Sequence, residues 1–188
     1  MIMNSLTLFG TALALGADAF AVSAAVAASL PALTGRHIFR LVWHFGLFQA
    51  LMTIVGWFGG EGLSTFMFGM NYWVASGLLF FLGVKMIHES FHPETRGRNF
   101  DPTRGWSLVG LSIATSVDAL AVGVSLSLIG VSVWTPALII GLAALLMSFV
   151  GTRLGRSIGV TLGQWAERAG GLVLIVIGIR ILADYIAR

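Results

Sequence analysis

The sequence predicts an all-α polytopic membrane protein, with six transmembrane helices arranged as two inverted three-helix repeats. Three observations lead there. Of 188 residues, 57% are hydrophobic and only 10% charged, whereas about a quarter of a soluble domain is charged. Apolar runs long enough to cross a bilayer, about 20 residues each, recur along the whole chain. One aspartate-centred pattern also occurs twice, as Ala14-Leu-Gly-Ala-Asp18-Ala-Phe-Ala-Val22 and Ala114-Thr-Ser-Val-Asp118-Ala-Leu-Ala-Val122.

The first apolar run reaches from about Leu6 to Leu30. It lacks a basic leader and is too long for a signal-peptide core, so a retained helix is expected over 5–29. Further spans are expected over 40–60, 72–91, 107–129, 134–154 and 168–187, with Pro31, Gly35, Pro93, Pro102 and Pro136 as breakers between them. The hydrophilic stretch 92–105 divides the chain. Residues 1–91 form the first repeat, 92–105 a cytoplasmic linker and 106–188 the second repeat, all within one membrane domain.

Arg36, Arg40, Arg96, Arg98, Arg104, Arg153, Arg156 and Arg168 fall in the first, third and fifth connections. The other connections and the N-terminus carry no lysine or arginine, and the C-terminus carries only Arg188. Positive charge collects on the cytoplasmic side, so both termini are expected to face outward. The net charge of +3 therefore reflects topology rather than affinity for nucleic acid. With no cysteine, thiolate metal sites and disulfides are excluded.

The two halves read as copies. Offset by 95, Gly46, Leu47, Leu51, Met52, Val55, Gly56 and Gly60 meet identical residues at 141, 142, 146, 147, 150, 151 and 155. Gly83-Val-Lys85 falls over Gly178-Ile-Arg180 and Glu89 over Asp184, while the aspartates align at an offset of 100. Three helices per copy make the second copy enter from the opposite side. Secondary transporters are commonly built from such inverted repeats, with sites near the midplane. At about 1.5 Å per residue, Asp18 and Asp118 both reach mid-depth.

A carboxylate near the bilayer centre costs roughly 2.5–3.5 kcal/mol on the mildest scale, and a bound cation offsets that cost. Gly46, Gln49, Thr53, Gly56 and Gly60 share one helical face, and Gly141, Ala144, Ser148, Gly151 and Gly155 repeat it. Close helix packing explains the glycines. Gln49, Thr53, Thr115, Ser116 and Ser148 add neutral oxygens near the two acids. Such a donor set suits a hard divalent cation. Two carboxylates neutralise one such ion, so exchange of the metal for protons follows as the coupling to test. Met52 and Met147 read as core. Lys85 with Glu89 and Arg180 with Asp184 are spaced as intrahelical ion pairs, with gating as the alternative reading. His37, His44, His88 and His92 do not stand at matched depths, so no haem or other cofactor is expected.

Four blocks carry a family resemblance: Asp-Ala-Phe-Ala at 18–21, Phe45-Gly-x-x-Gln49 leading to Gly56-Trp57, Phe81-Leu-Gly-x-Lys-Met-Ile-x-Glu89, and Ala114-Thr-Ser-x-Asp-Ala-x-Ala-Val-Gly123. Through them the chain resembles, essentially end to end, the small bacterial manganese efflux pumps of the MntP family. The resemblance implies a non-enzymatic transporter of the bacterial inner membrane. It would export Mn²⁺ as substrate, with Asp18 and Asp118 as the principal metal residues. Gln49 stands where members vary between acid and amide, and Thr53 where many carry proline. Apart from the bilayer and the divalent ion, self-association into a homo-oligomer stays open. Two other readings also remain: an exporter of a small organic solute such as an amino acid, and a non-transporting membrane scaffold whose acids only lock helices together.

Overall fold

The computed structural model describes residues 5–30, 32–64, 71–91 and 103–186. Regular structure among them is helical: α1 (Ser5–Ser29), α2 (Gly35–Ser64), α3 (Asn71–Glu89), α4 (Gly105–Thr115), α5 (Val117–Leu128) and α6 (Trp134–Ile186). A backbone in hydrocarbon must satisfy its own polar groups, which helices do. Four stretches are long and apolar enough to cross a membrane: Leu6–Ser29, Gly35–Gly62, Trp134–Gly155 and Arg168–Ile186. Helices α4 and α5, bent by 41° at their junction, together make a fifth, and Tyr72–His88 is a shorter apolar helix. The chain is a multi-pass membrane protein.

Two of these stretches lie inside α6 and run along α1 in opposite senses. Gly16 faces Met147, Phe20 faces Gly151 and Ala24 faces Gly155, so the first stretch is parallel to α1. Ala14 faces Gly170, and Gly10 faces Val173 and Ile177, so the second is antiparallel. The helical run therefore turns back between Gly155 and Arg168. Arg168 anchors the return. Its Nε donates to Ser90 Oγ at 3.1 Å, and its guanidinium lies 4.2 Å from the Phe91 ring centroid and 5.4 Å from that of Trp165.

Large apolar side chains such as Leu15, Leu41, Phe45, Met86, Ile140 and Leu174 fill the core, while α2 and α6 also bury a face of small and polar residues. On α2 the exposed face is Leu47, Leu51, Val55 and Phe58. The opposite face of Gly46, Gln49, Thr53, Gly56 and Gly60 is buried throughout, as is its copy of Gly141, Ala144, Ser148, Gly151 and Gly155. The glycines serve close packing. A methyl group at Gly56 would collide with the Leu120 backbone, and one at Gly151 with the Phe20 backbone. Likewise Gly60 meets Val124, and Gly155 meets Ala24. Across the middle, a Cβ on Gly46 would lie 3.0 Å from the Gly141 carbonyl oxygen, and one on Gly141 would lie 3.0 Å from that of Gly46.

The structure departs from the sequence expectations at four places. The span expected over 107–129 is broken at Ser116. The connection between the spans 134–154 and 168–187 is itself helical, so α6 holds both of them. Gly35 opens α2 instead of preceding a helix at 40. Pro136 sits in the first turn of α6, where proline's missing N–H leaves no helical bond unmade. Most of the linker, 92–102, lies outside the described residues.

A candidate cation site at a broken helix

The break between α4 and α5 has a local cause. Ser112 Oγ donates to the Leu108 carbonyl at 2.7 Å, Thr115 Oγ1 to that of Leu111 at 2.7 Å, and Ser116 Oγ to that of Ser112 at 2.6 Å. Hydroxyls that bond back to carbonyls four residues earlier bend helices, and here three do so within five positions. Ser116 N–H then makes a tight bond to the Ile113 carbonyl at 3.0 Å. The new helix begins at Val117 and carries Asp118 in its first turn. A carboxylate there meets the positive end of the α5 dipole.

A second helix reaches the same point. Gln49 Nε2 on α2 donates to the Thr115 carbonyl at 3.2 Å. Only the amide nitrogen can face a carbonyl, so Oε1 points away from it. That oxygen is buried and has no hydrogen-bond partner among the described residues. Thr53 Oγ1, one turn on, donates to the Gln49 carbonyl at 2.8 Å. Thus Gln49 meets the α4–α5 junction at Thr115, Thr53 packs one turn on against Gly123 of α5, and Ser116 and Asp118 follow Thr115 in the chain; all five were singled out from sequence.

Asp118 is deeply buried, with 6% of its side chain exposed, and its Oδ1 accepts from Lys85 Nζ of α3 at 3.0 Å. The Lys85 side chain remains 34% exposed. The sequence pairs Lys85 with Glu89, whose side chain lies outside the described residues. It missed the link across to α5. One signal was available: Lys85 is the sole lysine of the chain and sits in an apolar helix, where an ammonium needs an acid partner. Arg180 and Asp184 are both exposed and form no ion pair among the described residues, so the expected intrahelical bridge is absent. A cation placed N-terminal to the acid is the weaker order for such pairs.

Asp18 occupies unbroken, continuous α1 and is partly buried. It lies between Gly16, which faces Met147, and Phe20, which faces Gly151. Ser148 is therefore at its depth on α6, and Ser148 Oγ is another buried oxygen with no partner among the described residues. Met147 packs on Gly16, a core role. The two acids are joined through α2 and α6, which cross at Gly46 and Gly141, rather than by close packing of α1 on α5. Among the described residues no three acids or histidines converge. Among the described residues, a cation held here would take at most two carboxylates, completed by neutral oxygens such as Gln49 Oε1.

The family model described as "Putative manganese efflux pump" matches residues 32–182. A protein of Syntrophotalea carbinolica named "Putative manganese efflux pump MntP" is 55% identical over 184 residues, covering 97% of this chain and 98% of the relative. Proteins of the same name are 48% identical in Oleidesulfovibrio alaskensis (97% of each chain) and 47% identical in Geobacter sp. strain M21 (97% of this chain, 98% of the relative). No solved structure matches. A model covering most of the chain and relatives aligned over nearly all of it place this protein in the MntP family.

Proposed function

We propose that the protein is a secondary transporter that exports Mn²⁺ from the cytoplasm across the bacterial inner membrane. The ion would pass through a midplane site built on Asp18 and Asp118. The observation that carries this reading is the unpartnered Gln49 Oε1, buried beside a helix break that presents Asp118. A buried oxygen with no partner is costly, and a visiting cation supplies what it lacks. Carboxylate, amide and hydroxyl oxygens match a hard divalent ion, and the relatives' name specifies manganese.

Six crossings in two inverted repeats fit the packing. Phe20 on Gly151 and Ala24 on Gly155 become, at the repeat offsets, Leu120 on Gly56 and Val124 on Gly60. Gly83 on Gly171 likewise becomes Gly178 on Ser76. Reciprocal contacts of this kind are what a pseudo-twofold requires. The one-sided arginines support termini that face outward. When the ion leaves, the carboxylates need another positive partner, and protons from the far side are the coupling we infer.

The test is export by the full chain from cells that lack a manganese exporter. Intracellular Mn²⁺ should fall and growth in excess manganese should recover. Recovery with amino-acid efflux and unchanged manganese would overturn the proposal.

A further inference from the structure

We propose that Lys85 is a tethered counter-cation of the transport site: its ammonium holds Asp118 while no metal is bound, and the incoming metal must displace it. This rests on the reading of Asp118 as a metal-binding carboxylate. The Asp118 side chain is 6% exposed and its Oδ1 sits 3.0 Å from Lys85 Nζ, the length of a charge-assisted hydrogen bond. A carboxylate that deep is strongly disfavoured without a partner. A carrier that releases its ion must therefore neutralise Asp118 before it resets, and Lys85 is already in place to do so, which leaves the inferred proton exchange to Asp18.

The same oxygen cannot serve both cations well. A divalent ion on Asp118 would stand within a few ångströms of the ammonium, and like charges so close repel strongly in a poorly screened interior. Lys85 is equipped to leave. Its side chain is one-third exposed, and its Cα lies one turn before the end of α3. A flexible four-carbon stem can swing an ammonium toward the helix end while its methylenes stay in apolar surroundings. At the equivalent position of the second repeat Arg180 is exposed, so the device described here is that of Asp118. Metal affinity is thereby set below what the oxygens alone would give, which favours release.

The experiment uses the purified full chain in lipid nanodiscs, with free Mn²⁺ read by electron paramagnetic resonance. Lys85→Met keeps the length and removes the charge. It should bind Mn²⁺ roughly tenfold more tightly, a typical coupling between competing sites, while export slows. Lys85→Gln, which retains a donor for Asp118, should shift affinity the same way, and Lys85→Arg should not tighten it. In an Asp118→Asn background the gain should vanish. Unchanged or weaker binding by both uncharged variants overturns the proposal, because a lysine with a purely structural role gives that result. If Asp118→Asn alone leaves Mn²⁺ binding unaltered, the metal-site reading fails first.

The native chain offers a readout free of mutation. Lys85 carries the sole side-chain amine, so its modification by an amine-reactive reagent can be followed by mass spectrometry. Saturating Mn²⁺ should raise the labelling rate of Lys85, since displacement frees the ammonium from Asp118. Equal or slower labelling overturns the proposal.

Discussion

The Gln49 side-chain amide donates to the Thr115 carbonyl at 3.2 Å, bridging α2 to the point where α4 gives way to α5. At the repeat offsets the equivalent pair is Ala144 and Leu15, both fully buried. Neither has a side chain able to make such a bond, and α1 runs unbroken past Leu15. The break and its amide brace thus occur together, in one half only. Gln49→Leu should leave the Thr115 carbonyl without that donor, at a cost of about 1–3 kcal/mol. Export should fall as well, because the same substitution removes Oε1. Thermal unfolding followed by circular dichroism checks the first effect, and vesicle transport checks the second.

Asp18→Asn and Asp118→Asn preserve size and most hydrogen bonding while removing charge. Cation affinity follows the number of charged ligands, so each variant should lose at least roughly tenfold in Mn²⁺ export. Both proteins should still reach the membrane. Growth in excess manganese, with membrane levels measured by immunoblot, separates a cation site from a scaffold that merely locks helices. Full rescue by both variants would sink the metal assignment.

Gly56→Ala and Gly151→Ala should destabilise to a similar degree, by about 1–3 kcal/mol as overpacking usually does. Each places a methyl group into the backbone of its partner helix, Leu120 in one case and Phe20 in the other. Gly59→Ala is the control. Nothing lies near a Cβ at that position, and alanine favours helix by about 0.5–1 kcal/mol. Melting temperatures in detergent should fall for the first two and hold or rise for the third.

Trp57 joins α2 to the segment after α5, its Nε1 donating to the Val131 carbonyl at 2.7 Å. Trp57→Phe keeps an aromatic ring and deletes the donor. The expected loss is about 1 kcal/mol, the usual net worth of one such bond. Mn²⁺ binding should change little, since Trp57 contributes no ligand. A large drop in affinity measured on the folded variant would show that this corner shapes the site directly.

Much of the helical layout was legible because bilayer thickness sets a length that apolar composition reveals. Helix α1 falls where the hydropathy puts it, and the small-residue faces of α2 and α6 are buried as their spacing implied. The break at Ser116 was not legible. Serine and threonine are tolerated in continuous helices, and only their combined bonding back to Leu108, Leu111 and Ser112 bends this one. The link from Lys85 to Asp118 was not legible for a related reason. The chain offers Lys85 a neighbour one turn away, Glu89, whereas Asp118 stands 33 residues on.

The order of residues by itself determined where hydrocarbon-length helices lie, which faces they bury and which two carboxylates stand in matching apolar surroundings. Those properties follow from period and composition, which are local. Tertiary structure alone decided that Gln49 reaches Thr115, that Lys85 reaches Asp118 and that Ser148 lies level with Asp18. Each of these depends on how far one helix slides and turns against another, and that is set by backbone contacts at glycines such as Gly56 and Gly151, summed over the whole bundle.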